Sequence, residues 1–402
     1  MTTLADLTLA RVAIPLRRPF RHAAAVHTST AGVWVEARSA RGAVGYGEAC
    51  PRPYVTGEDL GTVRAFFLRH RADLCARIGG VGDLIAWSEA HRDAIDRNPA
   101  AWCAIELALL DLLAKEAGRS VESLLGLPEL QRSFRYSAVV GIEGDEGFRT
   151  LVDRYVSLGF ADFKLKLSGD LAHDRARLAW FQQRALPGWR LRLDANNSWT
   201  TVSDAARHLE GLACAFFAVE EPLAPRRWSA LAQLGGLFPA ASIVLDESCT
   251  RVEDLRALDV AGRWIINVRV SKMGGILRAL AVVDAARRSG VRVIVGAQVG
   301  ETSVLSRAAL TVAAHAGDGL VAQEGAFGTL LLAADVCDPP LMFGPAGELT
   351  APAPAPGFGL TVRDRTFLEP LCVRRQGASQ ATRTGSSPRC SVRLAFRNRG
   401  CR

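Results

Sequence analysis

The sequence predicts an α/β protein in which a (β/α)₈-type TIM barrel follows a separate N-terminal α+β region. Two observations carry this prediction. From about residue 133 onward, short apolar runs alternate with stretches that have apolar residues at helical spacing, which is typical of a parallel sheet covered by helices. Eight such strand candidates fit into roughly 190 residues, and eight strands close a barrel of this kind.

The N-terminal region, residues 1–130, holds strands first and helices later. Its candidate strands are Leu7–Ile14, Gly32–Ala37 and Ala43–Tyr46, and its candidate helices are Asp59–Arg77 and Ala101–Glu116. Two segments are expected to be loops: Arg17–Thr30, which contains His22 and His27, and Pro51–Gly57, which contains Tyr54. Both loops could cover the mouth of the barrel, although ordinary surface roles explain these three side chains equally well.

Residues 131–340 form the predicted barrel. Its candidate strands are Arg135–Val140, Asp162–Leu167, Arg190–Asp194, Phe216–Glu220, Ile243–Asp246, Ile265–Val270, Val291–Val295 and Leu320–Gln323. A doubly wound open sheet is the competing architecture, but no glycine-rich phosphate loop follows the first strand. Residues 341–373 lie in a stretch rich in proline, glycine and alanine, and we expect them to run back along the N-terminal region.

Charge and composition bear on partners and location. The net charge of +8 equals the eight arginines of residues 374–402, a segment without acidic residues, so we predict a disordered tail and no nucleic-acid partner. The longest apolar stretches are interrupted by charges and the N-terminus lacks a signal-peptide pattern, so we expect a cytoplasmic protein without a membrane partner. The nine cysteines have no paired spacing, as in reduced structural thiols.

Lysine is rare in this chain: there are four lysines and 45 arginines. Arginine cannot release its proton at usable pH, whereas a lysine can act as a general base. Lys164, Lys166 and Lys272 each lie on or just after a predicted strand, which marks them as candidates for catalysis. Lys115 ends a helix and is expected to be solvated.

Five ionisable residues recur with the period of the strand–helix units. The residues are Lys166, Asp194, Glu220, Asp246 and Lys272, and the intervals between successive members are 28, 26, 26 and 26 residues. All five are therefore predicted to meet at the C-terminal mouth, where barrel active sites lie. Three converging carboxylates would repel each other without a cation, and a ligand set made only of oxygen suits Mg²⁺. Helix caps or arginine salt bridges are the alternative explanation.

Strand geometry refines these roles. Residues two apart face the same side of a strand, so Lys164 and Lys166 point inward together, and we expect each ammonium group to lower the pKa of the other. Glu220 and Glu221 are adjacent and cannot both point into the barrel.

The motifs Lys164-Leu-Lys166, Asp194-Ala-Asn196, Glu220-Glu-Pro222, Asp246-Glu-Ser248 and Asn267-Val-Arg-Val-Ser-Lys272 resemble, in this order, those of the enolase superfamily, in its muconate-lactonising subgroup. The resemblance implies that Asp194, Glu220 and Asp246 bind Mg²⁺, with Mn²⁺ as a second possibility. It implies that Lys166 and Lys272 are acid/base residues on opposite faces of the substrate, and that Lys164 tunes the first. It also implies an N-terminal capping domain whose loops around residues 17–30 and 50–57 close the site.

Two departures from the family pattern concern the last strands. Dipeptide epimerases of the subgroup carry Asp-x-Asp after the eighth strand, whereas this chain has Gln323-Glu324-Gly325-Ala326. Glu301, after the seventh strand, aligns with the family pattern only if one residue is inserted. The first departure argues against a dipeptide substrate, and because of the second no site role is assigned to Glu301.

The predicted activity is Mg²⁺-dependent removal of the proton α to a carboxylate through an enediolate, most simply by a racemase or epimerase of an amino-acid-type substrate. The alternatives are a muconate-type cycloisomerase, a syn-eliminating synthase or dehydratase similar to o-succinylbenzoate synthase, and a metal-binding barrel without turnover. The partners predicted are a small carboxylate substrate and further copies of this chain in a homo-oligomer.

The composition of residues 374–402 generates a test of the domain limits. Truncation after residue 373 is expected to leave the melting temperature and the catalytic rate unchanged, because a segment so rich in arginine and poor in apolar residues has little to pack. A lower melting temperature of the truncated protein in differential scanning calorimetry would show that the tail stabilises the body.

Overall fold

A computed structural model describes residues 2–22, 25–130, 132–142, 144–185, 187–259 and 262–372. The predicted fold class is confirmed: a sheet of eight parallel strands surrounded by helices follows an α+β region. The prediction for residues 374–402 lies outside the described residues. In the part of the chain that the structure describes, no helix combines the length and apolar character needed to cross a membrane.

The N-terminal region consists of a strand block followed by a helical block. Its strands are β1 (Leu4–Val12), β2 (Pro15–His22), β3 (Ala25–Ser29), β4 (Gly32–Ser39) and β5 (Val44–Ala49), and its helices are α1 (Leu60–Arg77), α2 (Val81–Ala90), α3 (Arg92–Asp96), α4 (Pro99–Glu116) and α5 (Val121–Leu124). β1, β4 and β5 form an antiparallel sheet. Asp59 caps α1 by accepting a hydrogen bond from the Thr62 amide, and Pro99 begins α4, where its missing N–H costs nothing.

The segment Arg17–Thr30, predicted as a loop, is instead largely an antiparallel hairpin of β2 and β3, so that prediction was wrong. Phe20 lies opposite His27 in this hairpin. None of the described side chains of β2 and β3 is fully buried, so burial generates no alternation of apolar and polar residues there. Its strands are held by backbone pairing, which leaves no trace in the apolar pattern.

The barrel follows in regular strand–helix order. Its elements are β6 (Ser133–Arg135), β7 (Ala138–Val140), α6 (Asp145–Ser157), β8 (Asp162–Lys166), α7 (Leu171–Arg184), β9 (Arg190–Asp194), α8 (Val202–Gly211), β10 (Ala218–Glu220), α9 (Trp228–Leu237), β11 (Ser242–Leu245), β12 (Trp264–Arg269), α10 (Val270–Met273), α11 (Ile276–Arg288), β13 (Arg292–Gly296), α12 (Ser303–Ala316) and β14 (Leu320–Gln323), with short 3₁₀ turns at Val252–Ala257, Gly317–Gly319 and Gly328–Leu330. β7 to β14 pair in sequence order, all in parallel.

A backbone hydrogen bond closes the ring of strands. The Ser137 amide, next to β7, donates to the Gln323 carbonyl of β14 at 2.7 Å. The candidate strand Arg135–Val140 divides at this point, because β6 leaves the barrel and pairs with β15 (Glu348–Thr350). A last 3₁₀ turn at Pro345–Gly347 precedes β15. The chain then returns to the N-terminal sheet, where β16 (Leu368–Cys372) pairs with β1.

Glycines allow β5 to lie directly on α4. A Cβ atom at Gly47 would overlap the Ala104 carbonyl, and one at Gly45 would overlap the Ala108 carbonyl. The apolar faces of α4 and of the sheet are therefore brought to backbone contact, and α4 is buried over almost its whole length.

This close approach predicts a specific sensitivity. Gly47→Ala is expected to reduce the free energy of unfolding by about 3 kcal/mol, because the rigid backbone of α4 cannot make room for a methyl group. Gly82→Ala is the matched control, since nothing lies within 4 Å of its Cβ position on α2. That variant should be unchanged or more stable by up to about 1 kcal/mol. Chemical denaturation measures both, and equal stability of the two variants would contradict the packing argument.

Candidate active site

Strand register brings the first three predicted residues into one row. Lys166 of β8 lies opposite Asp194 of β9, and Asp194 lies opposite Glu220 of β10. The Lys166 ammonium donates to Asp194 Oδ2 at 2.9 Å and to Asn196 Oδ1 at 2.9 Å. Lys164 Nζ lies 3.1 Å from Asp194 Oδ2 and 2.8 Å from Glu220 Oε1. Both lysines therefore point into the barrel, as their spacing predicts.

Asp246 and Lys272 extend the row on its other side. Asp246 follows β11, and Lys272 lies on the single turn α10 directly after β12. The Lys272 ammonium donates to Asp246 Oδ1 at 2.8 Å, to the Asp246 carbonyl at 2.6 Å and to the Asn267 carbonyl at 2.7 Å. Its three N–H groups are thus all directed at neighbouring acceptors.

The structure resolves the choice between the adjacent glutamates. Glu220 faces the interior, and Glu221 turns away with φ of +39°. The Glu221 carboxylate accepts hydrogen bonds from the amides of Asp246 and Ser248, both at 2.7 Å, and from the Ser248 hydroxyl at 2.8 Å. Glu221 therefore fixes the turn that carries Asp246.

Three side chains around the row, two buried and one largely buried, were given no role from the sequence. Arg192 makes an ion pair with Glu324. Arg269 makes an ion pair with Asp246, and its Nη2 also lies 3.7 Å from Glu220 Oε1. Asn267 donates from Nδ2 to Glu220 Oε1 at 3.1 Å. Alternation along the strands could have identified these residues as facing the barrel interior. Arg192 lies two residues before Asp194 on the same face of β9, and Asn267 and Arg269 share a face of β12.

The expected lowering of the lysine pKa values is wrong for Lys164. Burial lowers the pKa of Lys164, but the charges of Asp194, Glu220 and Glu324 outweigh burial, so its pKa is raised. Lys164 is therefore held as an ammonium ion. Burial raises the pKa of Asp194 in turn, and the two nearby ammonium groups reverse that effect and lower it.

The remaining acidic and basic residues named from the sequence are structural in their contacts. Glu324 accepts from Arg192 and lies 3.4 Å from Lys164 Nζ. Glu301 accepts from the Gln298 amide at 2.6 Å, and burial raises its pKa to about 8. Lys115, expected to be solvated, is in fact half-buried and paired with Asp111 at 2.6 Å.

A cavity opens above the lysines. Its wall includes Lys164, Lys166 and Arg269 from the barrel, and Phe20 and Tyr54 from the N-terminal region. His27 lies behind Tyr54, and its Nε2 is 3.1 Å from the Tyr54 hydroxyl oxygen. The side chain of His22 lies outside the described residues. Lys272 opens on a neighbouring depression beside Glu247.

The carboxylates are suited to a hard cation by their chemistry. Their donor atoms are all oxygen, and Glu220 Oε2 is buried without a hydrogen-bond partner among the described residues. As positioned, no group of three or more acidic, histidine or cysteine side chains within the described ranges is arranged to hold a metal ion. Lys164 lies between Asp194 and Glu220, and Arg269 lies between Glu220 and Asp246. A cation held by Glu220 and Asp246 would therefore replace the ion pairs that Arg269 makes with them.

Known families and proteins are similar to this chain over most of its length. Residues 147–366 match the family model of the enolase C-terminal domain-like type, and residues 4–126 match that of the N-terminal domain of mandelate racemase and muconate lactonizing enzyme. A hydrophobic dipeptide epimerase of Enterococcus faecalis is 29% identical over 75% of this chain and 83% of its own length. Muconate cycloisomerase 1 of Rhodococcus opacus is 28% identical over 86% of this chain and 92% of its own.

The fold is shared with solved structures. The dipeptide epimerase of Cytophaga hutchinsonii, solved with Mg and the dipeptide D-Ala-L-Val, superposes with a TM-score of 0.80 at 24% identity, covering 92% of this chain and 100% of the other. Since the two family models together match most of the described residues, the chain belongs to the enolase superfamily, in its mandelate racemase/muconate lactonizing group, and is an isomerase.

Proposed function

We propose that this isomerase is a Mg²⁺-dependent racemase or epimerase that removes and returns the proton α to the carboxylate of an amino-acid-type substrate. One observation carries the proposal: a row of three buried carboxylates lies between two lysines, Lys166 on one side and Lys272 on the other. The epimerase relatives support it, since several act, by their names, on dipeptides or N-succinyl amino acids.

Asp194, Glu220 and Asp246 are the residues that would hold Mg²⁺, with Mn²⁺ as an alternative. The bound ion would supply positive charge where the substrate carboxylate becomes an enediolate, and stabilisation of that charge is the largest expected contribution to rate. Arg269 would leave Asp246 when the ion enters. Its guanidinium already lies in the cavity wall, where it can turn toward a substrate anion.

Lys166 is the proposed base on the cavity side. It lines the cavity, and Asn196 and Asp194 orient its ammonium group. To act as a base it releases one proton and then accepts the α-proton through Nζ. Lys164 remains charged beside it and supplies electrostatic stabilisation.

Lys272 is the proposed acid/base of the opposite face. All three of its N–H groups donate to acceptors, so proton transfer to substrate requires it to release at least one of them. The same observation favours a second candidate function, a cycloisomerase in which Lys166 alone transfers the proton and Lys272 contributes only charge. The similarity to muconate cycloisomerase 1, over 86% of this chain, points the same way.

Asp246→Asn tests the metal ligands. Loss of one carboxylate charge is expected to raise the dissociation constant for Mg²⁺ by at least about tenfold and to abolish turnover, while circular dichroism stays unchanged. Asp284→Asn is the control, because Asp284 lies on α11 and pairs with Arg287. Calorimetric titration with Mg²⁺ measures the effect, and undiminished affinity in Asp246→Asn would remove this residue from the ligand set.

Lys166→Arg and Lys272→Arg test whether there are two bases. Arginine keeps the charge but does not transfer protons, so each variant should lose racemisation by about 10²- to 10⁴-fold. Each should still exchange the α-proton of one enantiomer with D₂O, and the two variants should differ in which enantiomer they exchange. Exchange is followed by NMR for both enantiomers of each substrate.

The outcome separates the two candidate functions. If Lys272→Arg retains substantial turnover, Lys272 acts through its charge and the cycloisomerase mechanism with one base is supported. If both variants exchange the same enantiomer, the assignment of the lysines to opposite faces is wrong.

A further inference from the structure

Positively charged side chains line the cavity above Lys166 at two depths. Lys164, Lys166 and Arg269 are largely buried and form its inner end. Arg18 of the β2–β3 hairpin and Arg154 of α6 line the same cavity but are exposed, and so form its outer end. The wall between these levels is mainly apolar and includes residues such as Val139, Leu151 and Phe327.

The two outer arginines are not engaged by the protein. Neither side chain forms a hydrogen bond or an ion pair with any residue that the structure describes. The neighbouring Arg17 donates from Nε to the Thr329 and Leu332 carbonyls, which ties the hairpin to the barrel. Arg18 is therefore presented to the cavity by a neighbour that is fixed in place.

The described wall of the cavity holds no unpaired carboxylate for a substrate ammonium group. Glu324 is the acidic residue of its described wall, and its carboxylate is already paired with Arg192 and Lys164. A positive charge at the outer end of a substrate would face Arg18 and Arg154 with no compensating acid. A negative charge there would meet two guanidinium groups, which bind carboxylates well.

We propose that the substrate carries a second anionic group, a carboxylate separated from the reacting α-carboxylate by a mostly apolar segment, and that Arg18 and Arg154 select it. An amino acid whose N-acyl chain ends in a carboxylate has this chemistry, whereas a dipeptide with a free amino terminus does not. This inference rests on the proposed function, because the reacting end of the substrate is placed at Lys166.

A pair of matched probes tests the inference: N-succinyl-L-leucine, and the same compound with its succinyl carboxylate converted to the amide. The two differ in one charge and hardly in shape. The wild-type enzyme with Mg²⁺ should bind the dicarboxylate at least about tenfold more tightly than the amide, and Arg18→Gln or Arg154→Gln should each reduce that preference by about three- to fivefold, as expected for ion pairs open to solvent. The double variant should remove most of it.

Arg149→Gln is the matched control. Arg149 is an exposed arginine of the same helix α6, but it packs over Trp180 and does not belong to the cavity wall. Its substitution changes the net charge equally and should leave the preference intact. Melting temperatures verify that each variant is folded. We expect all of them to fold, because the substituted side chains are exposed. Added salt should reduce the preference of the wild-type enzyme.

Binding and exchange are measured separately, so that the two proposals can fail independently. Equal binding of both probes, a preference for the amide, no binding of either probe, or a preference unaffected by the arginine variants would each overturn the role of Arg18 and Arg154. Preferential binding of the dicarboxylate that the variants abolish, without exchange of its α-proton in D₂O, would support the anion site while contradicting the proposed reaction on this substrate class.

Discussion

The active end of this barrel depends on the pairing of buried carboxylates with buried cations. Asp194 and Glu220 are direct neighbours across β9 and β10, and two like charges about 4 Å apart repel by roughly 4 kcal/mol at an effective dielectric constant of 20. Lys164 contacts both carboxylates, at 3.1 and 2.8 Å. Removal of one cation would leave buried negative charge without compensation, which costs more than the pair itself contributes.

The N-terminal region is attached at the same edge of the barrel. Glu48 of β5 accepts hydrogen bonds from the Thr302 and Leu305 amides at the start of α12, at 2.8 and 3.0 Å, where the helix dipole favours an acceptor. Arg52 donates to the Thr30 carbonyl within the region and to the Val299 carbonyl of the barrel. These contacts hold the hairpin and the turn around Tyr54 over the cavity.

The sequence was sufficient to predict the barrel and the inward side of its strands, because both follow from periodicity. Lys164, Lys166, Asp194 and Glu220 lie where alternation along a strand places them. It did not predict the hairpin β2–β3, because none of its described side chains is fully buried and burial therefore generates no pattern. Nor did it predict the raised pKa of Lys164, because the charges of Asp194, Glu220 and Glu324 that outweigh burial surround its ammonium group only in the folded chain.

The contrast between lysine and arginine in the composition has a counterpart inside the ring. Arg192 and Arg269 span pairs of acids with a flat guanidinium group: Arg192 reaches Glu324 and Glu220, and Arg269 reaches Asp246 and Glu220. A planar fork with donors on several nitrogens suits that bridging task. Lys272 instead directs one nitrogen at three acceptors, and an ammonium group in that position can give up a proton, which a guanidinium cannot. Arginine therefore lies at the positions of the ring that need only a fixed charge. Lysine lies where proton transfer is proposed, at Lys166 and Lys272, and at position 164, where one compact charge contacts several carboxylates.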